Sequence, residues 1–325
     1  MSIPLLSIVV VVYDMPHQAW NTLQSLTSNY QRNVSDDQYE VIVVENNSSR
    51  TIPHNKIEKL PKNFHYILRQ ENGISPAKAI NQALKACRGD HVGLLIDGAR
   101  MLTPRVVEYA LQGVKIRNAI VTVPGYYLTE YATQEKAGEK ILSHEEKLLA
   151  KSDWLTNGYR LFDQACFSNG NRHGIFHPIM ESNALFFSKH LIEKHGGVDE
   201  NFNLKGGGSL NLHLYRLLCS NTDSPLVVLY GEGNFHQYHG GTSTTNDRTR
   251  DLLVVDFKRQ LDEYWPGGFK SVTREPYLLG SISAEAIPLL QKSLTNGSSR
   301  FSMFSSKQKD PWADDTTLGI KHGER

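Results

Sequence analysis

Two places in this chain gather side chains able to do chemistry. The first is Asp97, which closes the apolar run His91-Val92-Gly93-Leu94-Leu95-Ile96 and is followed by Gly98. A continuous run of this kind, bounded by Gly89-Asp90 and Gly98, predicts a buried strand of a parallel sheet covered on both faces. Ligands of open α/β sheets bind just outside the carboxyl ends of strands, and a glycine beside the acid lets a ligand approach the backbone. The second place is the glycine-rich segment after Leu226 to Tyr230, reading Gly231-Glu232-Gly233-Asn234-Phe235-His236-Gln237-Tyr238-His239-Gly240-Gly241. Its Glu232, His236 and His239 are titratable groups and candidate metal ligands.

The elements that must position these groups are legible in order. Leu5 to Val12 is dense in β-branched residues and predicts a first buried strand ending at Tyr13-Asp14. Pro16 opens a helix carrying Trp20, Leu23, Leu26 and Tyr30 at helical spacing. Tyr39 to Val44 predicts a second strand closed by Glu45-Asn46-Asn47-Ser48, and Phe64 to Leu68 a weaker third with its turn at Glu71-Asn72-Gly73. Ser75-Pro76 caps a helix that turns Ile80, Ala83, Leu84 and Cys87 inward. Thr103-Pro104 begins another through Val114. Residues 5 to 116 thus alternate strand and helix in the manner of a doubly wound parallel sheet. No Gly-rich phosphate fingerprint follows the first strand, which argues against a dinucleotide dehydrogenase or a P-loop enzyme.

The second half is less regular. Strands are expected at Ile120 to Pro124, Ala184 to Phe187 and Leu226 to Tyr230, and Ser143-His144-Glu145-Glu146 matches a capping box for a helix running to Lys151. Trp154, Tyr159, Arg160, Phe162 and Phe167 lie in a loop-rich section, where aromatics either pack or stack on sugars. Gly206-Gly207-Gly208-Ser209 precedes an amphipathic helix whose amino terminus can meet an anion. From Asn296 the chain is polar and turn-rich and reads as a flexible tail.

Composition bounds the class. The 325 residues contain 35 Lys+Arg against 34 Asp+Glu, a net charge of +1. No global field therefore holds nucleic acid or an anionic surface. The first apolar run is too short to span a bilayer and lacks a basic segment ahead of it, so no membrane segment or signal peptide is expected. Cys87, Cys166 and Cys219 are far apart and read as reduced thiols of a cytoplasmic protein.

Five segments together resemble the family 2 glycosyltransferases of GT-A fold. They are Val12-Tyr13-Asp14, Val44-Glu45-Asn46-Asn47-Ser48, Ala79-Ile80-Asn81, Leu95-Ile96-Asp97 and Gly196-Gly197-Val198-Asp199-Glu200-Asn201-Phe202. The likeness covers roughly residues 5 to 245 and implies a GT-A type, doubly wound α/β fold with a mostly parallel central sheet. A Rossmann-like nucleotide-sugar-binding half (1–118) and an irregular acceptor half (119–245) are expected, with a helical extension (246–295) and the tail (296–325). The resemblance implies transfer of a sugar from a nucleotide-sugar donor to a saccharide, glycoconjugate or other hydroxyl acceptor. By the same resemblance Tyr13, Asp14 and Glu45 line the base, Asp97 faces the ribose or diphosphate, and Asn46, Asn81, Gly98 and Arg100 complete the donor site. Trp154, Tyr159, Asn183 and Ser209 fall on the acceptor side.

Two departures from the family pattern shape the expected mechanism. Ala99 stands where the second acid of the Asp-x-Asp metal motif belongs, with Arg100 after it, and Gly208-Ser209 replaces the acceptor-helix Glu-Asp pair that holds the usual base. Arg100, with Lys78 as a further candidate, is then expected to meet the diphosphate, helped by a metal or imidazolium at His236 and His239. A divalent ion, Mn or Mg, would take Asp97, His236 and His239 as ligands, against the loss of the acid at Ala99. Glu181, which enters an acceptor-side strand, is the first candidate for the base and Glu232 the second. Asp199 is expected to brace the loop before Phe202. The motifs Ile-Asp-Gly-Ala-Arg and Gly-Glu-Gly-x-Phe-His-Gln-x-His-Gly-Gly resemble a subgroup in bacterial polysaccharide systems. The rival reading is a non-catalytic nucleotide- or saccharide-binding protein that kept the fold after losing two acids.

Overall fold

The structure, a computed structural model, describes residues 4–71, 75–129, 139–239, 247–266, 268–308, 310 and 312. The β-branched runs form the strands expected of them: β1 (Leu6–Val12), β2 (Tyr39–Asn46), β3 (Phe64–Arg69) and β4 (His91–Leu95). Between them stand α1 (Pro16–Ser25), the short α2 (His54–Ile57) and α3 (Ala77–Ala86). After β5 (Arg100–Leu102) come α4 (Val106–Val114), β6 (Ile120–Thr122) and β7 (Gly125–Leu128). The second half holds α5 (Glu139–Ser152), β8 (Ala165–Phe167), β9 (Leu185–Ser188), α6 (Lys189–Glu193) and α7 (Leu210–Cys219). It continues with β10 (Leu226–Tyr230), β11 (Asn234–His236), α8 (Asp247–Tyr264), β12 (Tyr277–Gly280) and α9 (Ile287–Ser306).

The described strands make two sheets. The larger has eight, in the order β12-β10-β6-β9-β4-β1-β2-β3. All its pairings are parallel except those of β9, which runs antiparallel to both β4 and β6. Alternation along β1 fills both faces: Val9 and Val11 enter an apolar cluster with α3 and α7, while Ile8, Val10 and Val12 enter another with α1 and α4. This is the mixed, mainly parallel α/β architecture of the GT-A type.

The smaller sheet, β5-β11-β7-β8, is four-stranded and was not legible as strands in the sequence. Its inner face is aromatic. Tyr126, Phe162, Phe167 and Phe235 pack with Trp154, Tyr159 and Leu161 in a third cluster, Tyr126 and Phe235 stacking at 5.3 Å.

Two local expectations are corrected. The helix expected to start at Ser143 already runs from Glu139, so Ser143 lies inside it and not at its amino-terminal cap. The stretch from Asn296, read as a tail, continues the helix α9 through Ser306, with Arg300 and Phe304 buried. Its many serines conceal a buried stripe at Ser293, Arg300 and Phe304. The turn expected at Asn72-Gly73, Gly240-Gly241 of the histidine loop, and residues 313–325 lie outside the described residues.

Candidate active site

The chain crosses from the large sheet to the small one in the four residues between β4 and β5, and Asp97 sits in that link. Its Oδ1 accepts the Ala99 N–H at 2.9 Å, a local turn that fixes the carboxylate. Gly98 packs on the end of β1: a Cβ there would lie 3.0 Å from Val12 Cγ2 and 3.1 Å from the Val11 carbonyl. Ala99 faces inward and is fully buried in the cluster that holds Leu102 and Val106. The missing second acid therefore has no place in the site here, because its position belongs to the core.

The small sheet supplies what the link lacks. β11 runs antiparallel to β5 and sets His236 opposite Arg100, with Phe235 opposite Met101 on the aromatic face. Pleating thus sends Arg100 and His236 to one side and Met101 and Phe235 to the other. Beyond β11, Gln237 donates its N–H to the Ala99 carbonyl at 2.9 Å and Tyr238 donates its own to both carboxylate oxygens of the buried Glu145, at 3.0 and 2.9 Å. These bonds hold His239 back toward Asp97. His236 Nε2 lies 3.2 Å and His239 Nε2 3.5 Å from Asp97 Oδ2, and the two Nε2 atoms are 3.0 Å apart.

The electrostatics suit ligation. Burial alone would raise the pKa of Asp97, but His239, His236 and Arg100 outweigh it and hold the carboxyl well below its ordinary value. Burial and the Arg100 charge push His236 down to about 3 despite Asp97, leaving a neutral ring with a lone pair to give. Asp97, His236 and His239 offer one ligand atom each, all within 4.8 Å of one another. A divalent ion at about 2.1 Å from imidazole nitrogen and carboxylate oxygen needs ligand atoms about 3.0–3.4 Å apart, so the three residues fit one.

Arg100 adds a buried guanidinium. Its Nη2 lies 3.5 Å from Asp97 Oδ2, while its buried Nε has no hydrogen-bond partner among the described residues. Its charge also reaches Glu181 from the loop before β9. Burial raises the Glu181 pKa, with Arg100, Asn211 and Asn183 acting against the rise. Asn211 Nδ2 donates to Glu181 Oε2 and, at 3.3 Å, to Asn183 Oδ1. Asn211 was not anticipated; it belongs to the first turn of α7, two residues past Ser209, and its signal was the glycine loop preceding that helix. Three successive positive φ angles, 69°, 83° and 59° at Gly206, Gly207 and Gly208, are the reason for that loop's composition.

Other expected site residues lie elsewhere. Glu232 is buried in the aromatic region, accepting from Thr103 Oγ1 at 2.5 Å and Tyr159 Oη at 2.7 Å, and burial lifts its pKa to about 7. Trp154 and Tyr159 are core members, edge-on to Tyr30 and bonded to Glu232 respectively, with no ring face left for a sugar. Ser209 is buried and donates to the Phe257 carbonyl at 2.9 Å. Asp199 braces its loop as expected, accepting from Asn201 N at 2.9 Å and Tyr264 Oη at 2.6 Å.

On the donor side the acids tie loops together. Asp14, at φ 52°, accepts from the N–H groups of Ser49 and Arg50 at 2.6 and 3.0 Å, next to the partly exposed Tyr13. Glu45 is buried and accepts from Ser48 Oγ, from Ile52 N at 3.1 Å and from Tyr66 Oη at 3.3 Å. Asn46 accepts from Arg69 Nη1 at 2.9 Å. Asn81 donates to the Val198 carbonyl at 2.8 Å, joining α3 to the Gly196-Gly197 turn, and Lys78 lies 3.4 Å from Glu71. Beyond these ties a recess of about 630 Å³ opens at the carboxyl ends of β2 and β3, lined by Asn47, Ser48, Thr51, Leu68, Arg69, Gln70 and Glu71.

Comparison with known proteins adds the family. The sequence model of glycosyl transferase family 2 matches residues 7–179. No curated protein matches the chain. Among solved structures, the chain is similar to a mannosyltransferase from Pyrobaculum calidifontis in complex with GDP-Man and Mn²⁺ (TM-score 0.49, 13% identity, 95% of this chain and 77% of that one). It is also similar to TarS of S. aureus (TM-score 0.47, 14% identity), covering 91% of this chain and 48% of that one. A TarS 1-349 structure in complex with UDP-GlcNAc gives a TM-score of 0.46 at 14% identity, with 81% and 71% covered. No described helix is long and apolar enough to cross a membrane.

Proposed function

Because the chain belongs to glycosyl transferase family 2 and transfers sugar from a nucleotide-sugar donor, we propose that the transfer occurs between Asp97, Arg100 and Glu181. The observation that carries this reading is the convergence of Asp97, His236 and His239 on one point, beside the orphaned Nε–H of Arg100. Diphosphate oxygens satisfy that buried donor, and the guanidinium offsets the charge that develops as the sugar–phosphate bond breaks. The recess at Asn47 and Arg69 takes the nucleoside, placing it along the strand ends from β3 toward β4.

Asp97, His236 and His239 would hold a divalent ion, which when bound supplies further positive charge to the leaving diphosphate. The remaining chemistry is the protein's own. Glu181 takes the proton of the acceptor hydroxyl as its oxygen bonds to the anomeric carbon and the nucleoside diphosphate departs. Asn211 and Asn183 aim the carboxylate, and burial keeps its proton affinity above that of an ordinary glutamate. The acceptor is a saccharide or glycoconjugate hydroxyl, as in bacterial polysaccharide synthesis.

The test is nucleotide release from a panel of UDP-, GDP- and dTDP-sugars with and without Mn²⁺ or Mg²⁺. Release from one nucleotide class, lost on His239→Ala, is the expected result. No release under any condition, with nucleotide binding indifferent to His239→Ala, overturns the assignment of the site.

A further inference from the structure

The spacing of the two histidines conflicts with the strand that delivers them. β11 ends at His236, and an extended chain would send His239 to the face opposite His236, because side chains alternate with a period of two. Both rings instead reach the same oxygen of Asp97. The backbone therefore turns at Gln237 and Tyr238, and side chains hold it there. The Tyr238 N–H goes to the Glu145 carboxylate of α5, and its carbonyl accepts from Gln18 Nε2 of α1 at 2.8 Å.

Gln237 is the centre of this turn. It is fully buried, its Nε2 donates to the Gln18 carbonyl at 3.0 Å and to Thr22 Oγ1 at 3.3 Å, and its Oε1 accepts from Asn21 Nδ2 at 2.9 Å. Both ends of its amide are thus bonded to α1. The helix is composed for this. Ala19 and Leu23 enter the apolar cluster beside β1, while Gln18, Asn21, Thr22 and Ser25 make a second, polar stripe at helical spacing. Gln18, Thr22 and Ser25 of that stripe are buried. Ser25 serves β5, its Oγ accepting from Leu102 N at 3.1 Å. Each such hydrogen bond adds only about 1 kcal/mol net, so an apolar contact would stabilise the fold as well. What the amide network adds is direction, since a buried network with its members satisfied specifies one arrangement of the chain.

We propose that Gln237 is a positioning residue and α1 its template: the amide locks the turn that sets His239 beside His236, so that both stand ready with Asp97 for one divalent ion. The inference rests on the reading of these three residues as metal ligands. It divides the polar stripe of α1 by task. Gln18, Asn21 and Thr22 act on the histidines through Gln237 and Tyr238, whereas Ser25 anchors β5. Removing a group that orients metal ligands costs about 10–100-fold in affinity, and that loss falls on the ion even where the fold is intact.

The test uses the full chain with Mn²⁺ alone as the probe, its affinity read by electron paramagnetic resonance and the thermal midpoint read separately in EDTA. Gln237→Leu removes the bonds to Gln18, Asn21 and Thr22 at similar volume and should weaken Mn²⁺ by about tenfold or more. Asn21→Ala, at a half-buried helix position, and Thr22→Val each remove one of those bonds and should weaken it by a smaller factor. Ser25→Ala is the control: it deletes a buried hydrogen bond of the same stripe, so it should lower the midpoint and leave Mn²⁺ affinity unchanged. Unchanged affinity in Gln237→Leu, or an equal loss in Ser25→Ala, overturns the inference, as does a parent protein that binds no Mn²⁺. If Gln237→Leu does not fold, unchanged affinity in both Asn21→Ala and Thr22→Val overturns it instead. Affinities that fall as expected in a protein that releases no nucleotide from any donor overturn the transfer site and leave the role of Gln237 standing.

Discussion

His236 Nε2 and His239 Nε2 stand 3.0 Å apart, each within 3.5 Å of the same oxygen of Asp97. Two imidazoles this close cannot both be protonated without strong repulsion, whereas both can turn lone pairs toward one cation. His236→Ala and His239→Ala should each weaken Mn²⁺ binding by at least about tenfold, since each removes one of three protein ligands. Electron paramagnetic resonance titration of Mn²⁺ measures this directly. Affinity unchanged in both variants would show that the three residues are only a hydrogen-bonded cluster.

Glu181→Gln keeps the shape and the Asn211 contact but removes the base. Nucleotide release in the presence of acceptor should fall by about 10²–10⁴-fold in kcat, with nucleotide affinity by calorimetry unaltered. A kcat within a few fold of the parent would transfer the base role away from Glu181. Glu232→Gln serves as the contrasting variant, because Glu232 faces Thr103 and Tyr159 inside the aromatic region.

Restoring the family acid should not restore the family site. Ala99 is fully buried among Leu102, Val106 and their neighbours, so Ala99→Asp buries an uncompensated carboxylate at a cost of about 3 kcal/mol or more. Urea denaturation reports the loss. A variant as stable as the parent that also binds Mn²⁺ more tightly would mean that position 99 reaches the site after all.

Glu232 also gives the fold a pH signature. Its pKa in the folded protein is about 7 against an ordinary 4.5, so between these values the unfolded chain has lost a proton that the folded chain retains. Stability then falls as pH rises from about 4.5 to 7, by about 3 kcal/mol, and is flat above. Glu232→Gln should abolish this component, so its stability relative to the parent should climb across that window. Parallel curves for the two proteins would show that Glu232 titrates normally.

Much of the large sheet could be read directly from residue order. β1, β2 and β4 are continuous apolar runs buried on both faces, and such runs have few alternative structures. Asp97, His236 and His239 were each legible as candidate ligands, but their grouping was not, because it depends on the register of β11 against β5. The small sheet was hidden because β5, β8 and β11 have three residues each, too few to display a period. Trp154 and Tyr159 misled for a different reason: an aromatic in a loop looks the same in sequence whether its ring face is open or, as here, packed against other rings. The continuation of α9 past Asn296 escaped because what stabilises it is contact at a distance, Phe176 on Gly297, which local propensity does not contain.

The pairing of Arg100 with His236 across β5 and β11 has a consequence for how this chain can vary. Side chains alternate along a strand, so a single-residue insertion between Gly233 and Phe235 would aim Phe235 at the side of Asp97 and Arg100 and drive the histidine into the aromatic layer. Substitutions at the rim can be absorbed one at a time. A change of length in this short segment exchanges the two faces of the small sheet there in one step, so descendants of this sequence are free to drift in residue identity there but not in residue count.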